Sequence, residues 1–153
     1  MSVERTCEMN EANEKEMILC QWQTCVEMAN SVSQRRDLTN NTFITINLAL
    51  IAAVSFKSDF KSIFVLAAGI ALCMLWKVFI NNYKYLNKVK YEVIHDLEKI
   101  LPMKPYTDEW NKLNKLKESK KYRDGTKLES ILPILFVIIY AIAIALIAFS
   151  VKC

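Results

Sequence analysis

The chain has 153 residues, one domain's worth, of which 53% are hydrophobic and 24% charged, with a net charge of +4 and a mean hydropathy of +0.15. Two glycines and three prolines exclude collagen, flexible linkers, a Gly-rich phosphate loop and a turn-dense small β domain. A single histidine excludes most His-based metal sites and catalytic triads, which leaves a helical protein whose charge and apolar residues are segregated along the chain.

Residues 1–12 are polar and acidic and are expected to be a flexible N-terminus. No basic stretch followed by an apolar one marks a cleavable signal peptide. Residues 13–37 read as a cytoplasmic helix. Ile18, Trp22, Cys25, Ala29 and Val32 recur four and three apart and make one narrow seam, as in a coiled coil. Asn13 is placed to cap its start, Glu14 and Glu16 lie near the positive end of the helix dipole, and Arg35 and Arg36 lie near the negative end. Such a seam suits an oligomer contact or packing against another helix of the same chain.

Residues 38–80 read as a two-span helical hairpin. The first apolar run, Phe43–Phe56, carries Thr45 and Asn47 and gains length from the uncharged residues 38–42. Lys57 to Lys61 form a hydrophilic turn. The second run, Ile63–Ile80, is interrupted only by Lys77, close enough to the boundary to snorkel. Gly69 and Ala71 permit close helix approach in this span, and Asn47 in the first is an amide that needs a partner or water, so these three serve span packing or line a pore.

Residues 81–129 read as cytoplasmic helices. Leu86, Val89, Val93, Leu97 and Ile100 form a helical stripe, Pro102 and Pro105 end the helix, and Thr107 is expected to cap the next one. Trp110, Leu113 and Leu116 would pack that helix back on the first. Residues 130–151 make a third span: 22 residues without a charge and without a polar face, enough to cross the hydrocarbon core.

Positive charge gives the orientation. Residues 81–130 hold 12 Lys/Arg against 8 Asp/Glu, and Arg35 and Arg36 precede the first span. This places the N-terminus and residues 81–130 inside, and the hairpin turn and Cys153 outside. Nucleic acid is not an expected partner, because acidic residues are interleaved with the lysines. Cys7, Cys20, Cys25, Cys73 and Cys153 contain no CxxC pair and are expected to hold no metal. No cofactor site or catalytic constellation stands out, and the chain is not expected to be an enzyme.

Three stretches carry a likeness: residues 21–50, which include VEMANSVSQRR; residues 75–110, which include KYEVIHDLEKILP and then EW; and the terminal apolar span. Their order resembles the RipA family of small octameric bacterial membrane proteins and, more loosely, the SLATT-type membrane effectors. The first resemblance implies an inner-membrane homo-oligomer, with eight copies suggested by that likeness alone. The second implies an effector that acts on the membrane in a defence system, which would take a cytoplasmic activator protein as partner. Neither supplies catalytic residues. The expectation is thus an all-α integral membrane bundle of three spans with a cytoplasmic helical layer, oligomeric, in the bacterial inner membrane. Its expected role is a membrane effector or pore in stress or anti-phage defence, with a non-conducting scaffold or regulator of a partner protein as the alternative.

Overall fold

No glycine or proline occurs before Gly69, so nothing in the first 56 residues supplies a helix break. The outcome is one long helix, α1 (Ser2–Phe56), in the computed structural model of the chain, which describes residues 2–56, 61–119 and 125–150. Four more helices follow: α2 (Ser62–Glu98), α3 (Pro105–Glu118), α4 (Gly125–Glu129) and α5 (Leu132–Ser150), with no strand among the described residues. Three of the helices, α1, α2 and α5, are long and apolar enough to cross a membrane.

Helix α1 starts at Ser2 rather than at residue 13, so Asn13 lies inside it and is not a cap. It also runs without interruption through Arg36 and Leu38, joining the expected cytoplasmic helix to the expected first span. Hydroxyl residues survive in it by bonding to their own helix. Thr42 Oγ1 donates to the Leu38 carbonyl at 2.8 Å, Thr45 Oγ1 to Asn41 at 2.9 Å and Ser55 Oγ to Ile51 at 2.8 Å. Helix α2 likewise unites the expected second span with the polar helix after it and ends ahead of Pro102. Residues 57–60 of the hairpin turn, residues 120–124 and Cys153 lie outside the described residues, and so do the bonds of Cys7.

The chain divides into two units, to both of which α1 and α2 contribute: Gln34–Lys84 with Arg123–Cys153, and Met1–Ser33 with Tyr85–Tyr122. The first, the apolar unit, has a core of Phe43, Leu66, Cys73, Trp76, Ile80, Phe136, Tyr140 and Ile147. In the second, the polar unit, Ala29, Val32 and Ile94 are the buried apolar side chains among the described residues, and α3 buries none of its own.

Two expectations for the polar unit change. Leu86, Val89, Val93 and Ile100 are exposed, and the buried face of that helix is Asn87, Ile94 and Glu98. Asn87 reaches Ser33 Oγ at 3.3 Å and Glu98 reaches α3, and turning those two inward turns 86, 89 and 93 outward at helical period. Helix α3 starts at Pro105, two positions before the expected cap, because proline suits the first helical position and Glu98 does the capping from α2. Trp110 and Leu116 are exposed.

Candidate functional site

The features with the most chemistry are two sets of buried polar contacts, one in each unit. In the apolar unit, Asn40, Phe43 and Asn47 recur at three and four on α1 and face α2 and α5. Asn47 is 0% exposed. Its amide nitrogen donates to the Phe43 carbonyl at 2.7 Å. Its side-chain oxygen accepts two bonds, from the Tyr140 hydroxyl of α5 at 2.6 Å and from the Cys73 thiol of α2 at 3.3 Å. One amide therefore ties all three long helices of this unit together.

Gly69 makes that contact sterically possible. A Cβ there would stand 2.7 Å from Cζ of Tyr140, so only a residue without a side chain admits the ring that reaches Asn47.

Two turns away on α1, Asn40 plays a matching part. The Trp76 indole donates to its side-chain oxygen at 2.8 Å, and its amide donates to Glu129 of α4 at 3.1 Å. Glu129 also pairs with Arg36 at 3.3 Å. Between the two amides the Phe43 ring stacks on Trp76, with centroids 5.6 Å apart and planes 3° from parallel. Phe136 continues the aromatic column from Trp76 to Tyr140.

In the polar unit, Glu98 is 0% exposed. Its carboxylate accepts the Tyr106 amide at 2.8 Å, the Thr107 amide at 2.9 Å and the Thr107 hydroxyl at 2.6 Å. An anion thus sits on the first turn of α3, where orphan amides and the helix dipole both favour it. Burial opposes ionisation of Glu98. The Thr107 hydroxyl, the two amides and nearby His95 outweigh it and hold the carboxyl below its ordinary range. Trp22 and Tyr91 flank Tyr106, with ring centroids 5.9 and 6.0 Å away.

The predicted residues fall as follows. Along the seam, Ala29 and Val32 are buried within the chain, Trp22 packs on Tyr106, and Ile18 and Cys25 are half-buried. Of the span residues, Asn47 and Gly69 meet at Tyr140, whereas Ala71 is exposed. Sequence reasoning missed Asn40, Trp76, Tyr140 and Glu129. The signal for Asn40 was its place one heptad before Asn47, and for Tyr140 its being the single tyrosine in a long apolar run.

The chemistry available is neutral amide, phenol, indole and thiol, with one ion pair at the end. Such a set clamps helices, and no group of His, Cys, Asp and Glu able to hold a metal occurs among the described residues. No curated protein and no solved structure matches the chain. The model of the octameric membrane protein family (8xMP) matches residues 19–150, which include every contact of both polar sets. With three helices long and apolar enough to cross a membrane and a match over most of its length, the chain belongs to the octameric membrane protein family, a membership that implies self-association in a membrane.

Proposed function

We propose that this chain is a non-enzymatic bacterial inner-membrane protein whose oligomer acts as a non-conducting scaffold, on which a cytoplasmic partner protein is held or regulated. One observation carries the reading. The polar groups of the first apolar run, Phe43–Phe56, are spent inside a single chain: Asn47 on Tyr140, Cys73 and Phe43, and the Thr45 and Ser55 hydroxyls on their own helix. A water-filled axis needs polar groups turned toward it. The excess of Lys and Arg in residues 81–130 supports a cytoplasmic N-terminus and an external Cys153.

The effector or pore reading, which the likeness to RipA and SLATT proteins suggests, makes a different demand. It needs Asn47 to leave Tyr140 and face water. Planar-bilayer recording of the purified oligomer, with the candidate activator proteins of its cell supplied, separates the two. The scaffold gives no unitary currents, and Asn47→Leu lowers the stability of each chain's own three-helix packing. Currents from the wild type that fall in Asn47→Leu while the oligomer persists would replace the scaffold by the pore.

A further inference from the structure

Exposed apolar side chains mean different things in the two units. In the apolar unit lipid tails cover them at no cost, so they point to no partner. The second half of α2 has no such cover. Lys88, Lys90, Glu92, Asp96 and Glu98 crowd onto it, a density of charge that keeps it out of hydrocarbon. Yet Leu86, Val93 and Ile100 stand exposed there at intervals of seven, with half-buried Leu97 between the last two. A seam of that period is the mark of a helix that packs on another, and bare in water it calls for a partner.

The seam lies on a definite side of the polar unit. The buried ridge of α1 is Ala29 and Val32, that of α2 is Asn87, Ile94 and Glu98, and Asn87 bonds Ser33 across the pair. At helical period Trp22 and Tyr91 lie to one side of these ridges, and Tyr106 of α3 packs on both. Met17 and Met28 of α1, both exposed, lie to the other side, and so does the α2 seam. This pair of helices therefore has one flank closed by α3 and one flank open and apolar.

Helix α3 has the converse lack. It is pinned at its start by Glu98 and by the rings around Tyr106. Further along, Trp110 and Leu116 are exposed, and no side chain of the helix is buried. A helix of 14 residues is marginal in water without packing. Its tryptophan is an anchor without a pocket.

Family membership supplies the occupant of the open flank, another copy of this chain. Copies that share one topology in one membrane are related by rotation about the membrane normal. A closed ring of more than two then uses two different patches on each subunit, one for each neighbour. The closed and open flanks are two such patches, on opposite sides of the same helix pair. Rotation also keeps every residue at its own depth. Tyr106 lies against Tyr91 and its amide bonds Glu98, so α3 starts at the depth of residues 91–98, where the open flank carries Val93 and Leu97. Trp110 is one turn further on, only about 6 Å along the helix.

We infer that α3 of each copy packs through Trp110 into the open flank of the next copy, beside Met28, Val93 and Leu97. Every α1–α2 pair is then held between its own α3 and its neighbour's. This rests on family membership and not on the scaffold reading; a conducting ring would be closed by the same contact.

Cysteine cross-linking in native membranes tests it, with Cys7, Cys20, Cys25 and Cys153 replaced by serine and buried Cys73 kept. Val93→Cys with Trp110→Cys should give a ladder of cross-linked species, and each single variant should give none. Dimers from Trp110→Cys alone would set α3 against α3, dimers from Val93→Cys alone would set seam against seam, and either would overturn the contact. So would no ladder from the pair while native mass spectrometry still finds the oligomer. Dilution in detergent gives the second arm. Trp110→Ala should raise the concentration at which the oligomer dissociates by about tenfold or more, the scale of an interface anchor, and leave exchange of the Tyr106 and Thr107 amides unchanged. An unmoved dissociation midpoint would sink the proposal. Accelerated exchange at those amides would make Trp110 a support of its own chain's α3 and would sink it as well.

Discussion

The two units of this chain use burial differently. In the apolar unit aromatic and aliphatic side chains share one buried core, and the buried amides Asn40 and Asn47 are neutral and pair with side chains of other helices. In the polar unit the buried polar anchor is a charge, Glu98, held on a helix start, and few apolar side chains are covered. The difference follows the solvent each composition suits. In lipid there is no hydrophobic drive between helices, so shape and hydrogen bonds select the packing. In water an exposed helix such as α3, with no buried side chain of its own, is held by its cap and by the rings around Tyr106.

The largest expected effect is in the apolar unit. Trp76 is fully buried, stacked on Phe43 and bonded to Asn40. Trp76→Ala should cost about 3–5 kcal/mol, read as a lower unfolding midpoint in detergent, with hydrogen-exchange protection of the Tyr106 and Thr107 amides unchanged. If protection at those amides falls equally, the two units unfold as one and the contrast between them is wrong.

Glu98→Ala reverses the experiment. It strips the acceptor from two amides and a hydroxyl and should cost about 1.5–3 kcal/mol, the range for bonds to a charged group. Exchange at Tyr106 and Thr107 should accelerate while α5 is unaffected. Acid should do the same in the wild type. Because the folded carboxyl titrates below its ordinary value, its contribution is complete above about pH 4.3, the unfolded value, and is lost as pH falls further through the folded one. Protection, corrected for intrinsic exchange, that already declines between pH 7 and pH 5 would contradict this.

Gly69→Ala tests how tightly the three helices are keyed. The added methyl meets the Tyr140 ring, and shifting that ring loosens its bond to Asn47. An overpacking cost of about 1–3 kcal/mol is expected, and Gly69→Ala combined with Tyr140→Phe should cost less than the sum of the two single changes. Additive costs would uncouple Gly69 from the amide. The smallest effect belongs to Thr45→Val, whose hydroxyl is exposed and bonded only to its own helix. Monomer stability should stay within about 0.5 kcal/mol of the wild type. A larger change would show that this hydroxyl does more than satisfy itself.

Much of the architecture was present in residue order alone. The 22-residue uncharged run, the hairpin of apolar segments and the near absence of glycine and proline were enough for an all-helical chain with three helices able to span a membrane, because length and hydropathy are local quantities. The same local information marked Asn47 as an amide that had to find a partner. It could not name Tyr140, which lies 93 residues further along. Nor could it show that Gly69 is small for the sake of that ring, or that Glu98 caps a helix whose start had been assigned to Thr107. Periodicity also marked a stripe from Leu86 to Ile100, of which the structure leaves Leu86, Val89, Val93 and Ile100 exposed. The physical reason is common to these cases. Hydropathy records how much a side chain gains by leaving water, whereas the side on which a helix is buried is decided by the few directional bonds its partners offer, and those partners are assigned only when the helices pack.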